Sequence, residues 1–142
     1  MSPQLHVAEP PAPYLARPAL VIDCSVLAGL VFREHRYEAA RDQVHGSTPH
    51  APHLLIYEIG NVALKKHRRQ EAHALPGLAH ALTLDIELHE VDMAQTFALA
   101  QRYQLSAYDA SYLWLAGALR CPLATFDETL AQAAQQHLGA LG

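Results

Sequence analysis

Apolar residues along the chain form short runs separated by stretches of helical periodicity. The runs ALVID (19–23) and PLATF (122–126) are almost wholly apolar, which is typical of strands buried in a parallel sheet. Between them, IELHEV (86–91) alternates apolar and polar positions and predicts a third strand. Strands separated by helices indicate an α/β domain with a mainly parallel sheet.

The helical stretches have recognisable limits. Two helical segments, SVLAGLVF and YEAARDQVH, follow the first strand. Pro49 and Pro52 come after them and are interpreted as a break between secondary-structure elements. A long helix is predicted over 54–69. The segment EAHALPGLAHAL (71–82) is expected to form a helical hairpin that breaks at its Pro-Gly pair.

The second half of the chain carries helix-start signals. Asp92 is predicted to begin a helix through Tyr103, with Gln95 at the capping-box position, and Ser106 to begin another. ETLAQAAQQHL forms the last predicted helix.

Length and composition favour one globular domain. With 142 residues, the chain is expected to hold a single domain over 18–142, preceded by an extended or disordered Pro-rich arm over 1–17. No stretch approaches the roughly 20 apolar residues of a membrane span, and no secretory signal is recognisable. A cytoplasmic protein without membrane association is therefore expected.

Charge at first counts against a nucleic-acid partner. The net charge is −4, from 10 basic and 14 acidic residues, whereas most nucleic-acid binders carry a basic excess. The run KKHRR at 65–69, here called the basic segment, nevertheless concentrates four positive charges. We predict RNA contacts at Lys65, Arg68 and Arg69, with a plainly solvated helix face as the alternative.

Cysteine and histidine do not predict a metal site by their spacing. Cys24 and Cys121 form no CxxC pair and are expected to be reduced thiols. The ten histidines are scattered, and the closest pair, His50 and His53, has no third ligand nearby along the chain. A histidine-based site is therefore not expected.

Two acids end predicted strands. Asp23 and Asp127 each follow an apolar run and precede a helix, so either residue alone can be explained as a helix N-cap. Ligands of open parallel sheets, however, bind beyond the carboxyl ends of the strands. If the two strands run in the same direction in one sheet, both carboxylates face one cavity.

Two more acids lie on predicted helices. Glu58 is one turn inside an apolar helix, where an unpaired charge is costly to bury, although a surface position remains open. It shares a polar stripe with Asn61, Lys65 and Arg69. Asp109 stands three residues after Ser106, so it can equally be read as part of a capping box.

Gathering four acids calls for a cation. These residues, here called the carboxylate quartet, are Asp23, Glu58, Asp109 and Asp127. Clustered carboxylates repel one another, and hard divalent ions such as Mg²⁺ or Mn²⁺ relieve that repulsion. Such ions activate water against phosphodiesters, so the quartet suggests metal-assisted phosphodiester hydrolysis.

Four motifs in order carry a family resemblance. VIDCSVLAGL, IYEIGNVAL, LSAYDASYLWLA and CPLATFDETLAQAA together resemble the PIN-domain family, specifically VapC-type toxins of bacterial toxin–antitoxin pairs. The resemblance covers about residues 19–138. One D-x-S or E-x-x-N motif alone means little, whereas the ordered set is specific.

The resemblance implies a fold and an activity. It implies a three-layer α/β/α sandwich, and an endoribonuclease that depends on Mg²⁺ or Mn²⁺, is inhibited by a small antitoxin protein and forms a homodimer. The family's metal-site positions match the quartet. Its supporting polar positions match Ser25, Asn61 and Thr125, which are expected to orient the carboxylates.

Two other functions compete with this interpretation. A non-catalytic PIN domain would act as an RNA-binding or protein-interaction module, although all four acids are present here. A phosphatase with an aspartyl nucleophile also begins with a strand and an Asp, but it needs a second Asp two positions later. Ser25 occupies that position.

Overall fold

A parallel four-stranded sheet forms the centre of the protein. The computed structural model describes residues 5, 6, 8 and 17–141. The strands are β1 (Ala19–Ile22), β2 (Thr48–Pro52), β3 (Glu87–His89) and β4 (Leu123–Ala124), in the spatial order β3-β2-β1-β4. Every neighbouring pair is parallel. The arm predicted over 1–17 lies almost wholly outside the described residues.

Helices cover both faces of the sheet. They are α1 (Cys24–Val31), α2 (Tyr37–Val44), α3 (Leu54–Arg68), α4 (Ala74–Thr83), α5 (Met93–Tyr103), α6 (Ala107–Leu119) and α7 (Glu128–Gly139). Helices α1–α4 pack against one another, and α5–α7 form a second group in which α6 lies on β1, β2 and β4. The predicted three-layer α/β/α sandwich is confirmed. No helix among the described residues is long and apolar enough to cross a bilayer.

Strand β2 is absent from the sequence prediction because of its two prolines. Thr48 N–H bonds the carbonyl of Pro18 on the β1 side, and His53 N–H bonds that of His89 on the β3 side. Successive backbone nitrogens along β2 point alternately toward β1 and β3. The nitrogen of Pro49 therefore faces β3, but the β2–β3 pairing begins only at His50. The nitrogen of Pro52 faces β1, but the β1–β2 pairing has already ended at His50. Each proline therefore lies where no ladder hydrogen bond is lost.

The predicted break at Pro76-Gly77 is wrong, because α4 is continuous from Ala74 to Thr83. Pro76 is the third residue of the helix, in the first turn, where a backbone N–H has no partner within the helix. Gly77 allows close packing against α1, since an added Cβ would lie 2.3 Å from a ring carbon of Phe32. Both residues suit a helix start pressed against another helix.

The predicted helix starts at Asp92 and Ser106 are confirmed. The Asp92 carboxylate accepts a hydrogen bond from the N–H of Gln95 at 2.9 Å, and α5 begins at the next residue. Ser106 caps α6 in the same way. These polar caps satisfy backbone N–H groups in the first turns of α5 and α6.

Candidate active site at the carboxyl edge of the sheet

The first acid of the quartet leaves the sheet at the end of β1. Strands β1 and β4 are parallel neighbours, with Ile22 aligned to Ala124. Asp23 and Thr125 therefore follow adjacent strand ends on the same edge. The sequence made a common edge for Asp23 and Asp127 conditional on a shared sheet and direction, and β1 and β4 meet both conditions.

Asp23 is almost fully buried, with 5% of its surface exposed, and is held by three donors. Its Oδ1 accepts hydrogen bonds from the hydroxyl of Ser25 at 2.6 Å and from the N–H of Val26 at 3.1 Å. Its Oδ2 accepts one from the hydroxyl of Thr125. The carboxylate caps α1 and at the same time has a defined orientation at the site.

The two hydroxyl groups also order the chain after β4. Ser25 Oγ accepts a hydrogen bond from the N–H of Phe126 at 3.0 Å, and Thr125 Oγ1 accepts one from the N–H of Asp127 at 2.9 Å. Asp127 is exposed and caps α7 by accepting from the N–H of Leu130 at 2.8 Å. Ser25 and Thr125 thus join the acids that follow β1 and β4.

Glu58 extends toward the same edge from α3, where it is half-buried. Its Oε1 accepts a hydrogen bond of 2.5 Å from the hydroxyl of Tyr112 on α6. Burial raises the pKa of Glu58, the Tyr112 hydrogen bond lowers it, and the charges of Asp109 and Asp23 raise it again. Glu58 is therefore a half-buried carboxyl with a hydrogen-bond partner and not a freely solvated one.

Asp109 is not the group that caps α6. The cap is the hydroxyl of Ser106, which accepts a hydrogen bond from the backbone N–H of Asp109 at 3.0 Å. The Asp109 side chain is half-buried, and its pKa is raised by burial and by the charges of Asp127 and Asp23. The capping motif positions Asp109 without using its carboxylate.

The carboxylate quartet is one electrostatic unit. The charge of Asp127 acts on Asp109, and the charges of Asp109 and Asp23 act on Glu58. Four different elements supply the four acids, so only the folded chain brings them together. Mutual repulsion among them creates a site whose ionised form favours a cation.

The donors fit a hard divalent ion that keeps part of its water. All four side chains offer oxygen ligands, which Mg²⁺ and Mn²⁺ prefer. Among the described residues, only one group of three or more potential ligands has its ligand atoms within 4.8 Å of one another, and that group lies elsewhere. The ligand atoms of the quartet are therefore spaced more widely than those of a closed metal cage. Mg²⁺ is often bound by one or two carboxylates and several waters, so this spacing suits it.

Cys24 adjoins the quartet but is not a suitable ligand. Burial, followed by the charges of Glu58, Asp23 and Glu34, raises the pKa of its thiol to about 12. A thiol must lose its proton to bind a metal. Both cysteines are free thiols, in agreement with the sequence prediction.

The remaining predicted residues lie on the outer surface of α3 and just beyond its end. Asn61 is exposed, and no hydrogen bond of its side chain occurs within the described chain. Lys65, Arg68 and Arg69 are exposed as well. Their neighbour Lys66 differs, because its ammonium lies 3.2 Å from Glu34 and 3.5 Å from Glu71.

Tyr112 was not among the site residues predicted from the sequence. It is 1% exposed, and its hydroxyl reaches Glu58, 54 positions earlier in the chain. One signal was available, since Tyr112 stands three residues after Asp109 on the same predicted helix and therefore on the same face. A buried tyrosine also usually needs a partner for its hydroxyl.

Comparison with known proteins points to one family. A family model described as "PIN domain" matches residues 20–136. The chain is 31% identical over 121 residues to "Ribonuclease VapC3" from Pyrobaculum aerophilum, which covers 80% of this chain and 92% of that protein. The crystal structure of PAE2754 from Pyrobaculum aerophilum shares the fold, with a TM-score of 0.66 and 24% identity over 88% of this chain and 96% of that one.

Proposed function

Since the chain belongs to the PIN-domain family, we propose that it is a divalent-metal-dependent endoribonuclease whose carboxylate quartet holds Mg²⁺ or Mn²⁺. The observation that carries the proposal is the convergence of four carboxylates, from four elements, on the carboxyl edge of the sheet. Burial raises the pKa values of Glu58 and Asp109, and the charges of neighbouring acids of the quartet raise them further. The relative named a ribonuclease supports RNA as the substrate.

The chain's own residues prepare the site. Three donors hold the buried Asp23 in one orientation, and Tyr112 holds Glu58 through its hydroxyl. Such partners fix ligand geometry and typically affect metal affinity about 10- to 100-fold. A bound divalent ion supplies an activated water and offsets charge on the phosphodiester.

The basic segment would bind phosphates of the RNA strand on the side of the quartet where α3 ends. Lys65 and Arg69 share a helical stripe with Glu58 and lie roughly 10 and 16 Å beyond it at 1.5 Å per residue. Those distances match neighbouring phosphates of a strand. Exposure of both side chains leaves their charges available to RNA.

The proposal extends to partners. The name of the VapC3 relative supports a toxin of a VapBC-like pair, with a small antitoxin as the cognate protein. The net charge of −4 would steer a basic antitoxin segment toward the chain. We also propose a homodimer, located in the cytoplasm where RNA substrates occur.

The decisive experiment measures cleavage. Purified protein is incubated with RNA and Mn²⁺ or Mg²⁺, beside an EDTA control, Asp23→Asn and the exposed Asp127→Asn. The matched control is Asp85→Asn, at an exposed acid outside the quartet. We expect cleavage by the wild type and by Asp85→Asn only.

Two outcomes contradict the proposal. Cleavage that survives EDTA and both quartet variants would exclude the four-carboxylate mechanism. Specific RNA binding without cleavage under any metal condition would support the non-catalytic module instead. Thermal unfolding of each variant identifies losses of activity that come from unfolding.

A further inference from the structure

A second cluster of potential metal ligands lies on the outer part of the sheet, away from the carboxylate quartet. His50 is on β2, and Glu87 and His89 are on β3. One ligand atom from each side chain lies within 4.8 Å of the other two, and no other group of three such residues meets this criterion among the residues described. We call these three residues the histidine cluster.

Strand register brings the cluster together. His50 is aligned with Glu87, and Pro52 with His89, across the parallel β2–β3 pair. Residues two apart on a strand point to the same face. His50, Glu87 and His89 therefore share one face at the edge of the sheet, although 39 positions separate the two histidines.

The two imidazoles lie within hydrogen-bonding distance of each other. His50 Nδ1 lies 2.8 Å from His89 Nε2, and the rings are stacked with their centroids 5.1 Å apart. Glu87 Oε2 lies 3.5 Å from the same His50 nitrogen. Ligands of one tetrahedral ion with bonds of about 2.0–2.1 Å are separated by roughly 3.3 Å, so the observed distances bracket that value.

Burial of His50 distinguishes this cluster from an ordinary polar strand face. The His50 side chain is 11% exposed, whereas that of Glu87 is 59% exposed. A buried imidazole nitrogen that faces a second imidazole can be satisfied in two ways: the two nitrogens share one proton in a hydrogen bond, or the lone pairs of both bind a cation. Glu87 adds a third potential ligand, whose negative charge would offset that of a bound cation.

We propose that the histidine cluster binds a borderline transition-metal ion of the Zn²⁺ type. Two imidazoles and one carboxylate suit zinc and its neighbours, and not the hard ions Mg²⁺ and Ca²⁺. Three protein ligands leave a further position for solvent on the exposed side of Glu87. The ion would clamp the edge strand β3 to β2, which leads directly into the helix that carries Glu58.

The test measures zinc binding by the full chain without a histidine tag, in excess Mg²⁺ so that the quartet is supplied with its own type of ion. Elemental analysis after dialysis gives zinc per chain, and calorimetric titration with ZnCl₂ gives the affinity. We expect one zinc per wild-type chain and an affinity at least about tenfold lower in His89→Ala and in Glu87→Gln. Zinc should also raise the Tm of the wild type by more than that of either variant.

Two controls separate this site from the proposed nuclease site. Asp23→Asn removes a quartet ligand, and His80→Ala removes an exposed histidine from α4. Both should keep the zinc site. If His89→Ala does not fold, Glu87→Gln decides, because its side chain is largely exposed.

Three results overturn the proposal: no zinc bound by the wild type, unchanged affinity in both cluster variants, or zinc binding that disappears in Asp23→Asn. The first result would leave a proton-sharing histidine pair. The third would assign the zinc to the quartet. None of them depends on whether the chain cleaves RNA.

Discussion

The hydroxyl of Tyr112 on α6 donates a hydrogen bond to Oε1 of Glu58 on α3, joining helices that belong to opposite layers. Removing the hydroxyl with Tyr112→Phe takes away the contact that lowers the Glu58 pKa, so that pKa should rise further. We expect the acid limb of the cleavage profile to move to higher pH and metal affinity to fall about tenfold. A pH–rate profile and a metal titration measure the two effects.

The matched control for this prediction is Tyr103→Phe. The Tyr103 hydroxyl contacts Nδ1 of His137 at 3.2 Å within the α5–α7 layer. That variant should keep the wild-type profile. An unchanged profile in Tyr112→Phe would show that the hydrogen bond does not act on the reaction.

Metal-free protein should be less stable near neutral pH than in mild acid. The pKa values of Glu58 and Asp109 are raised above the ordinary 4.5 and 3.8. The native state therefore holds protons that the unfolded chain releases. The free energy of unfolding falls as pH rises from those ordinary values through the raised ones.

A divalent ion should reverse this loss, because it favours the ionised carboxylates. We expect Mg²⁺ or Mn²⁺ to raise Tm clearly near pH 7 and very little near pH 4, where protonation releases the metal. Calorimetric scans at both pH values, with and without metal, check the prediction. Equal gains in Tm at the two pH values would contradict it.

Variants of Ser106 and Asp109 should distinguish loss of the helix cap from loss of the active-site carboxylate. Ser106→Ala removes the α6 cap and should cost about 1 kcal/mol of stability. Asp109→Asn keeps the backbone N–H that Ser106 accepts, so the helix start should survive while cleavage is lost. Urea unfolding and cleavage assays on both variants test this, and similar destabilisation by the two would restore Asp109 as a capping residue.

The basic segment should contribute through its charges. The double variant Lys65→Ala with Arg69→Ala should weaken RNA binding and reduce the slope of log K against log salt by about 1.4, at about 0.7 per phosphate contact for single strands. Arg41→Ala with Arg102→Ala removes the same charge from exposed positions outside α3 and is the control. If the two double variants behave alike, the basic segment is only a solvated helix end.

Local signals in the sequence were enough to find three of the four strands and the polar helix starts. Asp23, Asp92, Ser106 and Asp127 each accept a hydrogen bond from the backbone N–H three residues later, so their sequence neighbours reveal them. The sequence raised a shared sheet and a shared direction for β1 and β4 only as a condition, and the parallel pairing of the two strands meets it. Strand β2 was missed, because two prolines in a short segment argue against a strand. Only the register shows that the nitrogens of both prolines lie where no hydrogen bond to a neighbouring strand is needed.

Tertiary structure alone decided which side chains meet. Thr125 reaches Asp23 across 102 positions, Tyr112 reaches Glu58 across 54, and His50 reaches His89 across 39. The four acids of the carboxylate quartet and the order of their motifs could be identified from the sequence, whereas the Tyr112 contact and the histidine cluster could not. Periodicity reports which face of an element a residue occupies, but a contact between elements depends on register and packing, which exist only after the chain has folded.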